Sequence, residues 1–406
     1  MFRKFRTNEY IKWQLFSRII QGGKYMKKIV ASLAVLAIMA TGCGAGGGAA
    51  KDSKTIKIGA NLELSGPVSA YGTAEYEGAK LAVEEINKNG GVLGKDLELV
   101  KLDNKSDKAE SASVATKLAT KGNVVAIVGP ATSGAVKAAT PSVTKAKVPM
   151  VTPSGTDDSV TVENGKVWDY VYRVCFQDSF QGVALANFAT KDLNAKKAVI
   201  IGDSSSDYAK GLTKSFKDSF KGDIVDEVNF TTGDKDFKAV LTKIKDKNFD
   251  VLYMPSYYEE AGLIIKQARE LGITQPILGA DGFGNEKLVD LAQAKNLNDV
   301  YYTAHYSDKS ENPKVTDFVA AFKKENDKTP DAFSALAYDS VYMIAKAIEN
   351  AGEADPEKVK DELAKIKDFD GVTGKITMDK EHNPVKSTLV IKLEDGKEVS
   401  NTVVEP

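Results

Sequence analysis

The chain has 406 residues, a length that exceeds what one hydrophobic core usually organises and that predicts two domains. Residues 1–42 hold eight of its 55 Lys or Arg and one of its 56 Asp or Glu. The remainder therefore carries 47 basic and 55 acidic side chains, a net charge of about −8. Such an acidic chain argues against nucleic-acid binding, which requires a basic face. Two His, two Cys and no Cys-x-x-Cys or His-Glu-x-x-His pattern argue against a metal site.

The sequence begins with a segment that we interpret as translated leader. Residues 1–25 are basic and have no clear amphipathic period. Gln21, Gly22 and Gly23 can be encoded by a purine-rich stretch of the kind that binds bacterial ribosomes, a few nucleotides before the codon for Met26. We therefore expect synthesis to start at Met26.

Residues 26–42 have the pattern of a lipoprotein signal peptide. Two lysines precede an apolar run, and small residues precede Cys43. We expect cleavage before Cys43 and a lipid on its thiol, which would hold the protein at the outer face of a membrane. The alternative is an uncleaved anchor, but the run is shorter than the ~20 residues of a membrane span. Residues 43–53 predict a flexible linker.

From residue 54 onward, β-branched runs alternate with amphipathic stretches, which predicts an α/β fold with parallel sheets. The predicted strands are 55–61, 97–102, 124–128, 149–152, 198–201, 224–228, 251–254 and 276–279. The predicted helices are 74–89, 108–121, 134–145, 181–193, 208–220, 237–247, 259–271, 313–326 and 332–350.

The two halves of this region share one plan. Residues 124–156 and residues 250–283 both run strand, loop, helix, Xaa-Pro, strand and loop. In open α/β sheets the ligand crevice lies beyond the carboxyl ends of the strands. Two such sheets facing each other would place four strand-end loops around one cleft.

Two of these loops favour an anion. Residues 130–134 lead into a helix whose free N–H groups and dipole attract negative charge, and Ser133 adds a hydroxyl group. Ser154, Gly155 and Thr156 offer a second set of donors. Each loop alone is also explained as a simple turn from strand to helix, but together they predict a carboxylate site.

The facing loops offer an acid and aromatic rings. Asp281 ends a strand, where it could bind an ammonium group or, alternatively, cap the helix near Glu286. Tyr71, Tyr208 and Tyr257 follow strands in three further loops. Each tyrosine alone is equally typical of surface packing, but the set predicts a pocket with an apolar wall and hydroxyl tips.

Eight motifs occur in a fixed order between residues 55 and 285: TIKIGANLELSGPVSAYG, GAKLAVEEINKNGGVLGKDLELV, VAIVGPATSGAV, VPMVTPSGT, DSFQG, DYAKGL, FDVLYMPSYYEEAG and ILGADGFGN. In this set the chain resembles the extracytoplasmic solute-binding proteins of branched-chain amino-acid ABC importers, the leucine/isoleucine/valine-binding family.

The resemblance implies the type I periplasmic-binding-protein fold, or Venus flytrap, with two doubly wound parallel-sheet lobes joined by three crossovers. It places the crossovers near Cys175, Ala304 and Asp379. Lobe 1 would comprise residues 54–175 and 305–378, and lobe 2 residues 176–304 and 379–406, to which the strand 388–393 returns.

The resemblance also implies roles for the candidate residues. Ser133, Ser154 and Thr156 would bind the ligand carboxylate. Asp281, where some members carry Glu, would bind the ammonium group. The three tyrosines, Tyr71, Tyr208 and Tyr257, would close on the ligand. The disulfide of some members is absent, because non-cysteine residues occupy both positions.

The implied function is capture of a free L-amino acid such as leucine, isoleucine or valine by lobe closure, and delivery to an ABC permease, without catalysis or cofactor. An amino-acid or amide sensor of the same fold is the alternative. An enzyme is disfavoured, because neither His305 nor His382 lies in a strand-end loop to act as a base. We expect a monomer, tethered through Cys43, in a bacterium with a single membrane.

Overall fold

The computed structural model describes residues 54–405. The predicted leader, signal peptide, lipidation site and linker lie outside the described residues. Within residues 54–405, no helix is long and apolar enough to cross a membrane.

Sixteen strands are formed within the described residues: β1 (Thr55–Leu62), β2 (Asp96–Asp103), β3 (Ala126–Val128), β4 (Met150–Thr152), β5 (Val162–Glu163), β6 (Lys166–Val167), β7 (Val171–Arg173), β8 (Lys197–Asp203), β9 (Asp223–Phe230), β10 (Val251–Met254), β11 (Ile277–Gly279), β12 (Val300–Ala304), β13 (Phe369–Gly371), β14 (Gly374–Ile376), β15 (Thr388–Glu394) and β16 (Lys397–Val404).

Eleven α-helices alternate with them in the same part of the chain: α1 (Ser69–Lys88), α2 (Lys108–Lys121), α3 (Ser133–Ala146), α4 (Asp178–Lys191), α5 (Asp207–Ser219), α6 (Lys238–Ile244), α7 (Tyr258–Glu270), α8 (Glu286–Ala292), α9 (Pro313–Asn326), α10 (Ala332–Ala351) and α11 (Pro356–Leu363).

The first large sheet is parallel throughout, in the order β2-β1-β3-β4-β7. Strands β3, β4 and the edge strand β7 are buried along their whole length, as expected for a sheet covered by helices on both faces. The two faces carry separate hydrophobic clusters, one of which includes apolar residues of α1, α10 and α11. Gly78 of α1 lies so close to α10 that a Cβ atom there would meet the carbonyl oxygen of Ser334.

The second large sheet has the order β16-β15-β12-β11-β10-β8-β9. Strands β8 to β12 are all parallel. Their order, β9-β8-β10-β11-β12, repeats the order β2-β1-β3-β4-β7 of the first sheet. In each sheet, the second strand along the chain lies on one side of the first strand and the third lies on the other, as β2-β1-β3 and β9-β8-β10. Open α/β sheets bind ligands at this topological switch point. The shared plan of the two halves predicted this repeat.

The chain passes between the two sheets three times, after β7, after β12 and after β14. The three crossovers and the two-lobed α/β fold agree with the expectation from the resemblance. We use lobe 1 for the part built on the first sheet and lobe 2 for the part built on the second. The exact lobe boundaries stay a prediction.

The predicted elements differ from the structure in three respects. Helix α1 begins at Ser69 instead of residue 74, so Tyr71 lies in its first turn and not in a loop. Seven strands were not predicted, β5, β6, β7, β12, β13, β14 and β16, nor were the helices α8 and α11. The last two strands, β15 and β16, pair antiparallel, so lobe 2 has a mixed sheet where a parallel one was expected.

Candidate functional site

The two lobes contact each other directly through Tyr71. Its hydroxyl group donates to the carbonyl oxygen of Gly282 at 2.5 Å and accepts from the backbone N–H of Tyr258 at 3.1 Å. A second bridge joins Asn285 to Asp331, with the amide nitrogen 2.7 Å from the carboxylate. The described structure is therefore the closed arrangement of the lobes.

The structure brings the three predicted tyrosines together. The ring of Tyr71 packs edge-on against Tyr257 at 5.7 Å and stacks on Phe333 at 4.2 Å. Tyr208 stacks on Tyr257 at 4.9 Å. Burial raises the pKa of all three phenols well above the ordinary value, so they stay neutral donors at physiological pH. They form the expected aromatic cluster between the lobes.

Asp281 follows β11 directly and is almost fully buried. Its Oδ1 accepts hydrogen bonds from the Tyr208 hydroxyl at 2.8 Å and from Gln181 Nε2 at 3.1 Å. Its Oδ2 lies 3.2 Å from Nε2 of His305. Burial lowers the pKa of His305 to about 4, so this imidazole is neutral at pH 7 and, facing a carboxylate, carries its proton on Nε2. Three hydrogen-bonding groups, from Tyr208, Gln181 and His305, thus surround the carboxyl group of Asp281.

The alternative role of Asp281 as a helix cap does not occur. The N-cap of α8 is Asn285, whose side-chain oxygen accepts from the backbone N–H of Lys287 at 3.0 Å. The side chain of Asp281 therefore does not cap α8.

Asp178 is a second acid at the site, and the sequence analysis missed its role. Gln181 Nε2 donates to Asp178 Oδ1 at 2.8 Å as well as to Asp281, so one amide group aligns two carboxylates. Burial, together with the charge of Asp281, raises the pKa of Asp178 well above its ordinary value. Its Oδ2 is buried and has no hydrogen-bond partner within residues 54–405. The DSFQG motif carried this signal.

Ser133 begins α3 at the end of β3, as expected. Its hydroxyl oxygen accepts from the backbone N–H of Asp157 at 3.1 Å. Before the helix begins, Glu63 accepts from the N–H groups of Ala131 at 3.0 Å and Thr132 at 3.1 Å, so these two groups are not free. The next N–H groups, in the first turn of α3, have no intrahelical partner and remain the donors for an anion.

The second predicted loop follows β4. The N–H of Gly155 donates to Thr152 Oγ1 at 2.9 Å, and the hydroxyl group of Ser154 lies 2.5 Å from Glu75 Oε1. Thr156 Oγ1 is buried without a hydrogen-bond partner in the described part of the chain. Of the two hydroxyl groups, the one on Thr156 is therefore the available donor.

An arginine behind this loop fixes its shape. Arg173, at the end of β7, is fully buried. Its Nη1 donates to the carbonyl oxygens of Gly155 at 3.1 Å and Thr156 at 2.8 Å. The guanidinium group therefore binds the backbone of the loop.

Unfilled space remains between the lobes on two sides of the tyrosine cluster. A cavity of about 310 Å³ lies beside Ser69, Tyr258 and Asp331, and one of about 120 Å³ lies beside Thr132 and Tyr257. Both are lined by residues of both lobes. Among residues 54–405, no group of His, Cys, Asp or Glu is arranged to hold a metal ion.

A profile of the periplasmic binding protein family matches residues 55–397. The chain belongs to the periplasmic binding protein family. This membership makes it a solute-binding protein and not an enzyme, in agreement with the expectation from the sequence. Solved structures also include periplasmic binding proteins at 22–24% identity with benzoate or hydroxybenzoates bound, and these support the fold alone.

Curated relatives align over most of this periplasmic binding protein. The Leu/Ile/Val-binding protein BraC3 of Rhizobium johnstonii is 33% identical over 326 residues, covering 79% of this chain and 87% of the relative. The leucine-, isoleucine-, valine-, threonine- and alanine-binding protein of Pseudomonas aeruginosa is 32% identical over 330 residues, covering 80% and 86%.

Two crystal structures are similar to this periplasmic binding protein throughout. The branched-chain amino acid transporter substrate-binding protein LivJ of Streptococcus pneumoniae, in complex with isoleucine, has a TM-score of 0.83 and 48% identity, covering 87% of this chain and all of that one. The leucine-binding protein LivK of Thermotoga maritima has a TM-score of 0.80 and 37% identity, covering 86% and 99%.

Proposed function

We propose that this protein captures a free branched-chain L-amino acid outside the cytoplasm by lobe closure and delivers it to an ABC importer. The observation that carries the proposal is the buried acid Asp281 of lobe 2, whose carboxyl group contacts Tyr208, Gln181 and His305 and which would face the predicted anion-binding loops of lobe 1. An acid opposite N–H donors matches a zwitterion. The named relatives LivJ and BraC3 support the same ligand class.

The ligand's charged groups would be divided between the lobes. Its ammonium group would donate to Asp281 and to the unpartnered oxygen of Asp178. Its carboxylate would accept from the first turn of α3, which begins at Ser133, and from Thr156. Because only the closed form offers both sets at once, the ligand shifts the population of lobes toward closure.

An aliphatic side chain would lie against the aromatic cluster of Tyr71, Tyr208 and Tyr257. Burying a leucine side chain contributes about 1.5 to 3 kcal/mol, whereas one methylene contributes about 0.8 kcal/mol. Glycine should therefore bind much more weakly than leucine. Valine should differ from leucine only several-fold.

Titration calorimetry of the purified protein with each of the twenty amino acids tests the proposal. We expect heat with leucine, isoleucine and valine, and unchanged ligand recovered afterwards. The absence of heat with all three would contradict the ligand class.

We further propose that a lipid on Cys43 tethers a monomer to the outer face of the cell membrane, in a bacterium without an outer membrane. The signal-like residues 26–42 support this. Cys43→Ser should release the exported protein into the medium. The control is Cys175→Ser, because Cys175 is a buried free cysteine at the first crossover and its loss should leave the protein on the membrane.

A further inference from the structure

Glu75 lies on α1 and is fully buried beside the second anion-binding loop. Its Oε1 is 2.5 Å from Ser154 Oγ. The same Ser154 oxygen is 2.9 Å from the carbonyl oxygen of Ala131. One hydroxyl group therefore contacts two oxygens, one in α1 and one in the loop after β3.

Counting hydrogens decides which group donates. A serine hydroxyl has a single proton, and a carbonyl oxygen can only accept. If Ser154 donates to Ala131, the contact with Glu75 is a hydrogen bond only when Glu75 donates. A carboxyl group donates only when it is protonated. Both short contacts are satisfied together by a neutral Glu75.

The second carboxyl oxygen supports the same assignment. Oε2 of Glu75 is buried and has no hydrogen-bond partner within the described residues. A buried anionic oxygen without a donor is costly, whereas a neutral carbonyl-type oxygen is tolerated far better.

We propose that Glu75 is an uncharged carboxylic acid in the native protein and that it positions the loop of residues 152–156 for the ligand carboxylate. The role of Glu75 in positioning this loop rests on the proposed function. A neutral Glu75 donates to Ser154, which donates to Ala131, so the two anion-binding loops are linked. It also adds no negative charge beside the ligand carboxylate.

The neighbouring ionisable groups are consistent with this state. Glu63, from the loop after β1, and Asp331, at the start of α10, both raise the pKa of Glu75, which burial raises most. Tyr71 lies one turn earlier on α1 and is neutral. Burial raises the pKa of Glu63 too, but Glu63 accepts three hydrogen bonds that lower it, from Ala131 N–H and from the N–H and hydroxyl groups of Thr132. Unlike Glu75, it has no contact that requires it to donate.

Infrared difference spectroscopy tests the protonation state without any ligand. The spectrum of wild type minus Glu75→Gln at pH 7 should show the C=O band of a protonated carboxyl group. A difference spectrum with carboxylate bands instead would overturn the proposal. Because no amino acid is present, this result is independent of the proposed function.

Leucine titration tests the positioning role. Gln can donate from its amide group, so Glu75→Gln should bind within about threefold of wild type, whereas Glu75→Ala should lose about tenfold or more. Equal losses in the two variants would contradict positioning by a donor. If Glu75→Ala does not fold, the comparison of leucine affinity between Glu75→Gln and wild type still tests whether Glu75 acts as a donor.

Glu63→Gln is the matched control, because Glu63 is a buried glutamate that only accepts. Its amide nitrogen would face an N–H donor, so this variant should lose about tenfold or more where Glu75→Gln does not. A tolerated Glu63→Gln together with a damaged Glu75→Gln would reverse the assignment. If the wild-type protein binds no amino acid, the proposed function is contradicted. The infrared result on the protonation state of Glu75 is not affected, because it is measured without ligand.

Discussion

The hydroxyl group of Tyr208 donates to Asp281 Oδ1 at 2.8 Å and accepts from the backbone N–H of Gly282 at 2.9 Å. It therefore fixes both the carboxylate and the turn that carries it. Because the ring of Tyr208 stacks on Tyr257, the acid and the aromatic cluster form one unit. A ligand would meet an acid whose orientation is already set.

Asp281→Ala should lower leucine affinity about 30-fold or more. The variant removes the acceptor for the ligand ammonium group, and unpairing a charged hydrogen-bond partner costs about 2 kcal/mol. Calorimetric titration measures the loss. Asp290→Asn is the control, because Asp290 lies on α8 and pairs on the surface with Lys287 at 2.8 Å. Near-native affinity in Asp281→Ala would show that this acid does not bind the ligand.

Tyr71→Phe should weaken closure without removing the aromatic wall. The lost hydroxyl group bridges Gly282 and Tyr258, and hydrogen bonds of this kind contribute about 1 kcal/mol each, so affinity should fall roughly five- to thirty-fold. Small-angle scattering should show a larger open fraction at subsaturating leucine. Tyr76→Phe is the control on the same helix, because it keeps the ring under Lys101 and should bind leucine with wild-type affinity. Equal leucine affinity in the two variants would contradict a closing role for Tyr71.

His305 should make the protein less stable in mild acid. Burial lowers its pKa to about 4, whereas the unfolded chain has the ordinary value of about 6.5. The unfolded state therefore binds more protons between these values, and the free energy of unfolding falls as the pH is lowered through that window, by up to about 3 kcal/mol.

Urea denaturation of His305→Gln between pH 7 and pH 4 checks this dependence. The variant should lose much of the decrease in unfolding free energy, because glutamine does not titrate. His382→Gln serves as the comparison: burial also lowers the pKa of His382, but by less. An unchanged pH dependence in His305→Gln would show that His305 has the same pKa in the native and the unfolded state, contrary to the lowered pKa.

Gly78→Ala should destabilise lobe 1. The added Cβ would lie 1.9 Å from the backbone oxygen of Ser334, so α1 and α10 would have to separate, at a cost of about 3 kcal/mol or more. Gly202→Ala is a milder substitution, because its nearest neighbour is the side-chain oxygen of Thr213 at 3.3 Å. Equal melting temperatures in the two variants would refute the close contact.

Local sequence patterns predicted most of the fold. The apolar runs of β1, β8 and β10 are buried along most of their length, and such strands stand out from their polar flanks. Strand β7 and strand β12 were missed. The first is three residues long, and the second, VYYTA, is rich in aromatic residues rather than in the aliphatic β-branched type.

The charged side of the site was only partly predictable. Asp281 and the three tyrosines lie in segments that connect a strand to the next helix or in the first turn of that helix, so position alone indicated them. Glu63 and Glu75 act on loops that lie 68 to 79 residues away in the chain, and no local pattern reports such pairings. The contacts of Glu63 with Ala131 and of Glu75 with Ser154 depend on the order of the strands in the sheet, which could not be read directly from the sequence.

The first sheet ends at β7, but the helices α10 and α11 that cover one of its faces are made only after nearly all of lobe 2. A growing chain therefore cannot complete its first core while it is being synthesised. Neither lobe is a contiguous piece, so each waits for residues beyond the other. The nascent protein stays without a finished first core until residues 332–363, which form α10 and α11, have been synthesised.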